Sequence, residues 1–252
     1  MPVTLIEQKP TFTKKVEGNN KLVISEMFAD TLQGEGIFAG TTATFIRLQG
    51  CTLQCVWCDT IDVWPHGNEY SFDEIFEMFE SIDLITKFKA GQHLILTGGS
   101  PLKQQRNLVA FLNAFKDKYQ FIPYIEVENE TVLMPDSDFE MFVACWNNSP
   151  KLQNSGMKTR ARYKSEVVKH MASRRNSWFK FVVDSEQSWD EINEFYLKPG
   201  LISRYSVIIM PEGQNQEQLA KTRELAADIA IREGVRFSDR LHITIWDKKT
   251  GV

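Results

Sequence analysis

The sequence lacks a long apolar run and has little excess of charge. No window approaches the roughly 18 apolar residues that a membrane-spanning helix needs, and residues 1–20 lack the apolar core of a signal peptide. The formal net charge of -4 over 252 residues does not favour a dominant nucleic-acid-binding surface. We therefore expect a cytoplasmic protein with no membrane partner and no direct binding of nucleic acid.

Cysteine is scarce, and its distribution does not fit a disulfide framework. The chain has 4 cysteines, and three of them, Cys51, Cys55 and Cys58, lie close together in sequence. A secreted protein stabilised by disulfides would spread and pair its cysteines. Cys145 stands apart in the apolar run MFVACW, where a free cysteine is expected to be a small buried hydrophobic residue.

Strand-like segments recur along most of the chain. Residues 1–20 form a polar lead-in, and residues 21–252 are expected to form a single domain. Several of the segments are nearly continuous apolar runs, which is typical of strands covered on both faces. The predicted strands are 22–28, 42–48, 93–98, 122–128, 142–145, 178–184, 205–210 and 241–246.

Helical patterns lie between the predicted strands. Ser71 and Glu74 form a capping-box pattern before a stretch that ends near Phe88, and residues 104–118 and 216–233 carry apolar residues at helical spacing. Alternating strands and helices predict a mainly parallel sheet with helices outside it. With about six strands, an incomplete barrel or an open wound sheet is expected.

One segment is strongly basic. Residues 151–176 contain eight Lys or Arg and one acidic residue, Glu166. The segment could bind RNA, phosphate or a partner protein. A solvated loop and helix face inserted between two strands is the interpretation that we favour, because runs of charge are usually solvated.

The clustered cysteines have the spacing C-x3-C-x2-C and directly follow a predicted strand. Thiolates suit zinc or iron–sulfur centres. Three thiolates can hold three irons of a [4Fe-4S] cubane and leave the fourth iron open to another ligand. A zinc site would need a fourth ligand, for which His66 is the nearest candidate, and the chain has no second cysteine knuckle. We therefore favour iron–sulfur over zinc.

This motif, with Trp57 before the last cysteine, resembles the radical S-adenosylmethionine (SAM) superfamily. In that superfamily SAM binds the open iron through its amino and carboxylate groups. One electron from the cluster then cleaves SAM to a 5′-deoxyadenosyl radical, which abstracts hydrogen from the substrate. The resemblance implies the same cofactors here, with the protein positioning them.

Further segments resemble one radical SAM family, the 7-carboxy-7-deazaguanine synthases. The resemblance implies a modified incomplete (β/α)6 barrel and conversion of 6-carboxy-5,6,7,8-tetrahydropterin to 7-carboxy-7-deazaguanine with release of ammonia, in 7-deazapurine (queuosine-type) biosynthesis. The segments run in family order from about residue 26 to the end of the sequence. They are TLQGEG at 31–36, FIRLQGC at 45–51, CDT at 58–60, LTGGSPL at 96–102, IEVEN at 125–129, SPK at 149–151, MPEG at 210–213, and LH, Trp246 and GV from 241 to 252.

The same resemblance assigns residues to the substrate. An amide beside a carboxylate can read the donors and acceptors of a pterin, and an arginine can pair with a substrate carboxylate through two hydrogen bonds. The predicted substrate-binding residues are Leu32, Gln33, Gly34, Glu35, Arg47, Thr97 and, through its terminal carboxylate, Val252.

It also assigns residues to SAM. Gly98 and Gly99 end a strand, and the usual glutamate of this GGE-like segment is Ser100 here. A serine brings no charge to pair with the SAM ammonium, so we expect either weaker SAM binding or substitution by another carboxylate such as Glu126 or Glu128. The remaining predicted SAM contacts are Trp57, Cys58, Asp59, Ser149, Pro150, Lys151, Met210, Pro211, Glu212 and Gly213.

The resemblance further implies Mg²⁺, a redox partner and a homodimer. In the family the threonine of the CDT motif, Thr60 here, coordinates magnesium, which prefers oxygen ligands. The electron is expected from reduced flavodoxin or ferredoxin. His242 is expected to be a packed strand residue without a catalytic role.

Two other functions are compatible with parts of the sequence. Another radical SAM enzyme, such as an activase that installs a glycyl radical, would share the cluster and act on a protein. A zinc-stabilised module that binds RNA or a protein through residues 151–176 would need no cluster. The activase gives no reason for the LQGEG segment, and metal analysis after anaerobic purification would distinguish the zinc module.

Overall fold

One sheet organises the chain and places the ends of its strands along a common edge. The computed structural model describes residues 2–7, 20–249 and 251. In this part of the chain ten strands form the sheet. They are β1 (Val3–Ile6), β2 (Lys21–Leu32), β3 (Thr42–Leu48), β4 (Asn68–Ser71), β5 (His93–Gly98), β6 (Ile125–Asn129), β7 (Cys145–Asn148), β8 (Ser177–Val183), β9 (Val207–Pro211) and β10 (Arg236–Phe237).

The strand order is β1-β2-β3-β5-β6-β7-β8-β9-β10, and β4 pairs with β2. Every pair from β3 to β10 is parallel, whereas β2 pairs antiparallel with β1, β3 and β4. Because β1 and β10 lie at opposite ends of this order, the barrel is incomplete. The expected fold class is thereby confirmed.

Helices follow most of the parallel strands and cover the sheet. Short 3₁₀ turns and one π-helical turn, at Asn193–Leu197, complete the connections. The helices are α1 (Phe72–Ser81), α2 (Leu84–Lys89), α3 (Gln105–Tyr119), α4 (Ser137–Glu140), α5 (Thr159–Arg162), α6 (Ser165–Ala172), α7 (Glu186–Ile192), α8 (Gln216–Glu233) and α9 (Leu241–Trp246). No helix in the described part of the chain is long and apolar enough to cross a membrane.

The predicted capping box at Ser71 is present and starts α1. The Ser71 hydroxyl accepts from the Glu74 amide at 3.3 Å, and the Glu74 carboxylate accepts from the Ser71 amide at 2.7 Å. The predicted single helix to Phe88 is divided, because Asp83 adopts a left-handed conformation with φ 58° between α1 and α2.

Aromatic rings join these helices to α3. Phe76 stacks on Phe111 with ring centroids 5.4 Å apart, and Phe79 meets Phe88 and Phe115 edge to face. All five side chains are buried, so this cluster anchors one side of the sheet.

Several sequence predictions differ from the structure, among them the start of β6, which lies at Ile125 instead of 122. The run 241–246 is helix α9 instead of a strand, so His242 is a helical residue. Strand β7 begins at Cys145, three positions after the predicted start at 142. The lead-in contributes strand β1, which pairs with β2.

Tertiary contacts explain the helix at 241–246. Its β-branched residues favour a strand locally. The Leu241 amide, however, donates to the Gly34 carbonyl at 2.8 Å, and the His242 ring lies against Gly34. Docking of this segment on the loop after β2 therefore overrides its local propensity.

Candidate active site

A cavity of about 280 Å³ lies where the parallel strands end at their carboxyl termini. Ligands of α/β folds commonly bind at this edge. Most predicted site residues line the cavity wall. They are Leu32, Gln33, Gly34, Glu35, Arg47, Cys51, Cys55, Trp57, Cys58, Asp59, Thr60, Thr97, Gly98, Gly99, Ser149, Lys151 and Met210.

Some predicted residues are placed elsewhere. Ser100 is fully buried behind the wall. Pro150, Pro211, Glu212 and Gly213 adjoin the wall in sequence without lining the cavity. Val252 lies outside the described residues, although its neighbour Gly251 is part of the wall.

The cysteine loop brings all three thiols to one cavity. The Cys58 amide donates to the Cys55 carbonyl at 3.2 Å, and the Leu53 amide donates to the Cys51 sulfur at 3.3 Å. Burial raises the pKa of Cys51 to about 11 against the lowering effect of the Leu53 amide, and the charge of Glu130 adds to the increase. Burial also raises the pKa of Cys55.

Glycines allow the loop to approach strand β5 closely. A Cβ on Gly99 would overlap the Cys51 side chain and the Gly50 carbonyl. The Ser100 amide donates to that same carbonyl at 2.8 Å. A side chain at residue 99 would therefore displace the first cysteine of the motif.

The donor set fits an iron–sulfur cluster. In the described residues no three His, Cys, Asp or Glu side chains form a group that could hold a single metal ion. Cys51, Cys55 and Cys58 instead share the wall of one cavity, and three thiolates on one loop can ligate three irons of a [4Fe-4S] cluster.

Ser100 supports a carboxylate that the sequence interpretation missed. Its hydroxyl donates to Glu130 Oε1 at 2.5 Å, and the Thr52 hydroxyl donates to the same oxygen at 2.8 Å. Glu130 lines the cavity. The two predicted substitutes are occupied elsewhere: Glu126 accepts from His93 Nδ1 at 2.7 Å, and Glu128 pairs with Lys180 at 2.6 Å.

A buried lysine links two acidic residues inside the barrel. Lys180 Nζ lies 2.7 Å from Glu35 Oε2 and 2.6 Å from Glu128 Oε2. Burial lowers the pKa of Lys180, but the two carboxylates outweigh it and raise the pKa overall. Burial alone would raise the pKa of Glu35. The charges of Lys180, Arg240 and His242 outweigh this effect and hold the pKa of Glu35 well below its usual range.

Arg240 continues this network toward the cysteine loop. Its Nε donates to Glu35 Oε1 at 2.9 Å, its Nη1 donates to the Gly213 carbonyl at 2.5 Å, and its Nη2 pairs with Asp59. Burial raises the pKa of Asp59, but Arg240 lowers it overall. The MPEG segment and the CDT motif are thus joined by an arginine that sequence reasoning missed.

A signal for one of these residues was present in the sequence. Lys180 interrupts the apolar strand WFKFVV, and a charged residue in such a strand must face a partner or a ligand. Arg240 carried no such signal, because it precedes a segment predicted to be a strand.

The motif glycine Gly34 makes room for α9. A Cβ at this position would collide with the imidazole of His242. Both residues line the cavity. The glycine in LQGEG is therefore required by the helix that packs against it, in addition to any contact with a ligand.

Arg47 and Thr97 stand side by side on the wall. They are register partners of the parallel pair β3 and β5. Arg47 Nε donates to Glu26 Oε1 at 2.7 Å, and Thr97 is buried. The carboxylate of Glu26 fixes the arginine in the wall.

The basic segment begins in the wall and continues away from it. Lys151 Nζ donates to Ser149 Oγ at 2.8 Å and lies 5.3 Å from the centroid of the Trp57 ring. Arg162 is buried and lies 2.6 Å from Glu191. At least this arginine stabilises the fold instead of lying on a solvated face.

Comparison with known proteins identifies the family. A sequence family described as "4Fe-4S single cluster domain" matches residues 32–128. A 7-carboxy-7-deazaguanine synthase from Pyrobaculum aerophilum is 32% identical over 230 residues, covering 90% of this chain and 96% of that protein. The chain belongs to the 7-carboxy-7-deazaguanine synthase family.

Other relatives agree with this assignment. A 7-carboxy-7-deazaguanine synthase from Hyperthermus butylicus is 30% identical and covers 90% of the chain and 94% of its own length. The crystal structure of QueE from Escherichia coli has a TM-score of 0.64 at 21% identity and covers 89% of this chain and 96% of its own, which shows the shared fold. Membership of this radical SAM family implies the cluster and SAM as cofactors, and neither a glycyl-radical activase nor a zinc-stabilised module is favoured.

Proposed function

We propose that this chain converts 6-carboxy-5,6,7,8-tetrahydropterin to 7-carboxy-7-deazaguanine with release of ammonia. One observation carries the proposal: the three thiols share a single cavity with Gln33, Arg47 and Thr97. A cavity of this kind suits a small ligand. The family relationship supplies the reaction.

Cys51, Cys55 and Cys58 would hold the cluster, and Gly98 and Gly99 would line the SAM site. When bound, the cluster and SAM would supply radical chemistry for hydrogen-atom transfer to and from the substrate. The side chains around them bind, orient and exclude water. Trp57, Ser149, Lys151 and Met210, which line the same cavity, complete the proposed SAM contacts.

Substrate recognition is assigned to other residues that line the same cavity. Arg47 pairs with the pterin carboxylate, while Gln33 and the backbone of Leu32 and Gly34 read the ring. Glu35 lies beside them and is held by Lys180 and Arg240. Since cations satisfy both of its oxygens, Glu35 keeps a fixed negative charge next to the ring.

Thr60 is proposed to bind Mg²⁺. Its hydroxyl lines the cavity and lies 3.6 Å from Cys58 Sγ. One hydroxyl suits Mg²⁺, which keeps several waters and takes few protein ligands. Thr60→Ser retains the hydroxyl and Thr60→Val removes it, so only Thr60→Val should raise the Mg²⁺ concentration needed for half-maximal turnover. Equal Mg²⁺ dependence in both variants would exclude this ligand.

Reduced flavodoxin or ferredoxin is the proposed electron donor, with the reaction taking place in the cytoplasm. Val56 is 75% exposed in the cysteine loop, and its amide donates to the Ser155 carbonyl at 3.0 Å. The basic segment therefore starts beside the cluster loop, where an acidic donor could dock. We also propose a homodimer, which analytical ultracentrifugation tests directly.

The function is tested by product identification. Protein reconstituted under anaerobic conditions is reduced and supplied with SAM, Mg²⁺ and 6-carboxytetrahydropterin, and the products are analysed by mass spectrometry. We expect 7-carboxy-7-deazaguanine and ammonia, with SAM regenerated. A protein that holds its cluster and cleaves SAM but leaves the pterin unchanged would refute the proposed substrate.

A further inference from the structure

Glu130 is a buried carboxylate for which the described protein offers no cation. The residue is 5% exposed. Both hydroxyls that reach it, from Ser100 and Thr52, donate to Oε1. Its other oxygen, Oε2, is buried and has no hydrogen-bond partner among the described residues. A buried charge without a partner is costly, so the site is incomplete without a positive group.

The position of Glu130 indicates which positive group completes the site. Thr52 directly follows Cys51, and Ser100 directly follows Gly99. Glu130 is therefore bound to both segments that meet at the first cysteine. It also lines the cavity that holds the three thiols. A ligand cation that reaches Oε2 must come from a molecule that lies beside the cluster loop.

The neighbouring cationic side chains are already engaged. Lys103 Nζ donates to the Cys51 carbonyl at 3.4 Å, and Lys151 Nζ donates to Ser149 Oγ at 2.8 Å. No described lysine, arginine or histidine forms an ion pair with Glu130. The Glu130 carboxylate is thus available to a small molecule that carries its own ammonium.

We propose that Glu130 binds the α-ammonium of SAM in place of a glutamate at residue 100. This inference rests on the proposed radical SAM function. Ser100 is a positioning residue in this arrangement: its hydroxyl donates to one oxygen of Glu130 and leaves the other oxygen without a protein partner among the described residues. The carboxylate comes from the end of β6, whereas the GGE-like segment follows β5.

Equilibrium binding to the cluster-loaded protein tests the proposal. The two probes are SAM and the SAM analogue in which hydrogen replaces the α-amino group. Glu130→Gln keeps the shape and one oxygen that accepts from both hydroxyls, and it replaces the other, charged oxygen with a neutral NH2 group. We expect this variant to bind SAM at least about tenfold more weakly and to bind the analogue as the wild type does.

Two further variants make the result specific. Glu217→Gln removes an exposed carboxylate on α8 and should leave both affinities unchanged. The double variant Ser100→Glu with Glu130→Gln moves the carboxylate to residue 100 and should recover part of the preference for SAM over the analogue. Iron content is measured for each variant, so that a lost cluster is not mistaken for a lost ammonium contact.

The outcomes separate the inference from the function on which it rests. If Glu130→Gln weakens SAM and the analogue equally, or weakens neither, Glu130 does not bind the ammonium, although the enzyme function stands. If the wild-type protein holds its cluster and binds neither probe, the radical SAM function itself is overturned, and the role of Glu130 with it.

Discussion

Arg240, which precedes α9, pairs with Asp59, which follows the last cysteine of the cluster motif. The two residues are far apart in sequence and meet at the cavity wall. The same guanidinium holds Glu35 of the LQGEG segment. It also donates to the Gly213 carbonyl of the MPEG segment. One side chain therefore holds the CDT, LQGEG and MPEG segments relative to one another.

Removal of Arg240 should destabilise the protein strongly. Arg240→Met leaves the half-buried Glu35 with only Lys180 as a cationic partner and removes the cation that pairs with the more exposed Asp59, which costs roughly 1–3 kcal/mol of unfolding free energy. Urea denaturation followed by circular dichroism measures the change. Arg232→Met, which breaks exposed ion pairs on α8, is the matched control and should have little effect. Equal midpoints for the two variants would show that the buried network does not stabilise the fold.

Cys55→Ala should abolish SAM cleavage, because two thiolates no longer anchor a cubane with a single open iron. Cys145→Ala is the control, since Cys145 is buried on β7 and does not line the cavity. Iron content and formation of 5′-deoxyadenosine are measured in both variants. Normal cleavage by Cys55→Ala would contradict the cluster assignment.

Glu35 should make stability depend on pH in the acid range. The pKa of Glu35 in the folded protein lies well below its usual value. The ionised carboxylate therefore makes its full contribution to the free energy of unfolding above about pH 5, where the carboxyl of the unfolded chain is also ionised. The contribution is lost as the pH falls through the lowered folded pKa. Denaturation at several pH values should therefore show a gap between wild type and Glu35→Gln that shrinks on acidification.

The exposed Glu217→Gln variant provides the reference for this series. Its difference from wild type should stay nearly constant with pH. A gap for Glu35→Gln that is equally flat would mean that Glu35 is not held in its charged form by Lys180 and Arg240.

Gly34→Ala should be destabilising through a specific collision. The backbone of Gly34 is outside the left-handed region, and the added methyl would meet the His242 ring. Overpacking of this kind costs about 1–3 kcal/mol. The double variant Gly34→Ala with His242→Ala should recover most of the loss in urea denaturation. If the losses of unfolding free energy from the two single substitutions simply add in the double variant, the collision between the added methyl at position 34 and the His242 ring is not the cause of the destabilisation.

The sequence predicted two of the parallel strands and one long helix closely. The boundaries of β3, β5 and α8 agree with the predicted segments 42–48, 93–98 and 216–233. These segments have strong local patterns, either continuous apolar runs with β-branched residues or apolar residues at helical spacing. Local propensity and tertiary packing favour the same structure in them.

The sequence predicted poorly where long-range contacts decide the structure. The run LHITIW becomes α9 because the loop after β2 receives it. Glu130 and Arg240 were missed for the same reason. Each gains its role from partners that are distant in sequence, Ser100 and Thr52 for Glu130, and Glu35 and Asp59 for Arg240.

The hydrogen bond between the Gly50 carbonyl and the Ser100 amide joins the start of the cysteine motif to a residue that is synthesised about fifty positions later. A growing polypeptide that has emerged only as far as the cysteine motif cannot yet hold that motif in place, since the anchoring strand β5 is synthesised later. The three cysteines therefore reach the arrangement seen here only after β5 has joined β3.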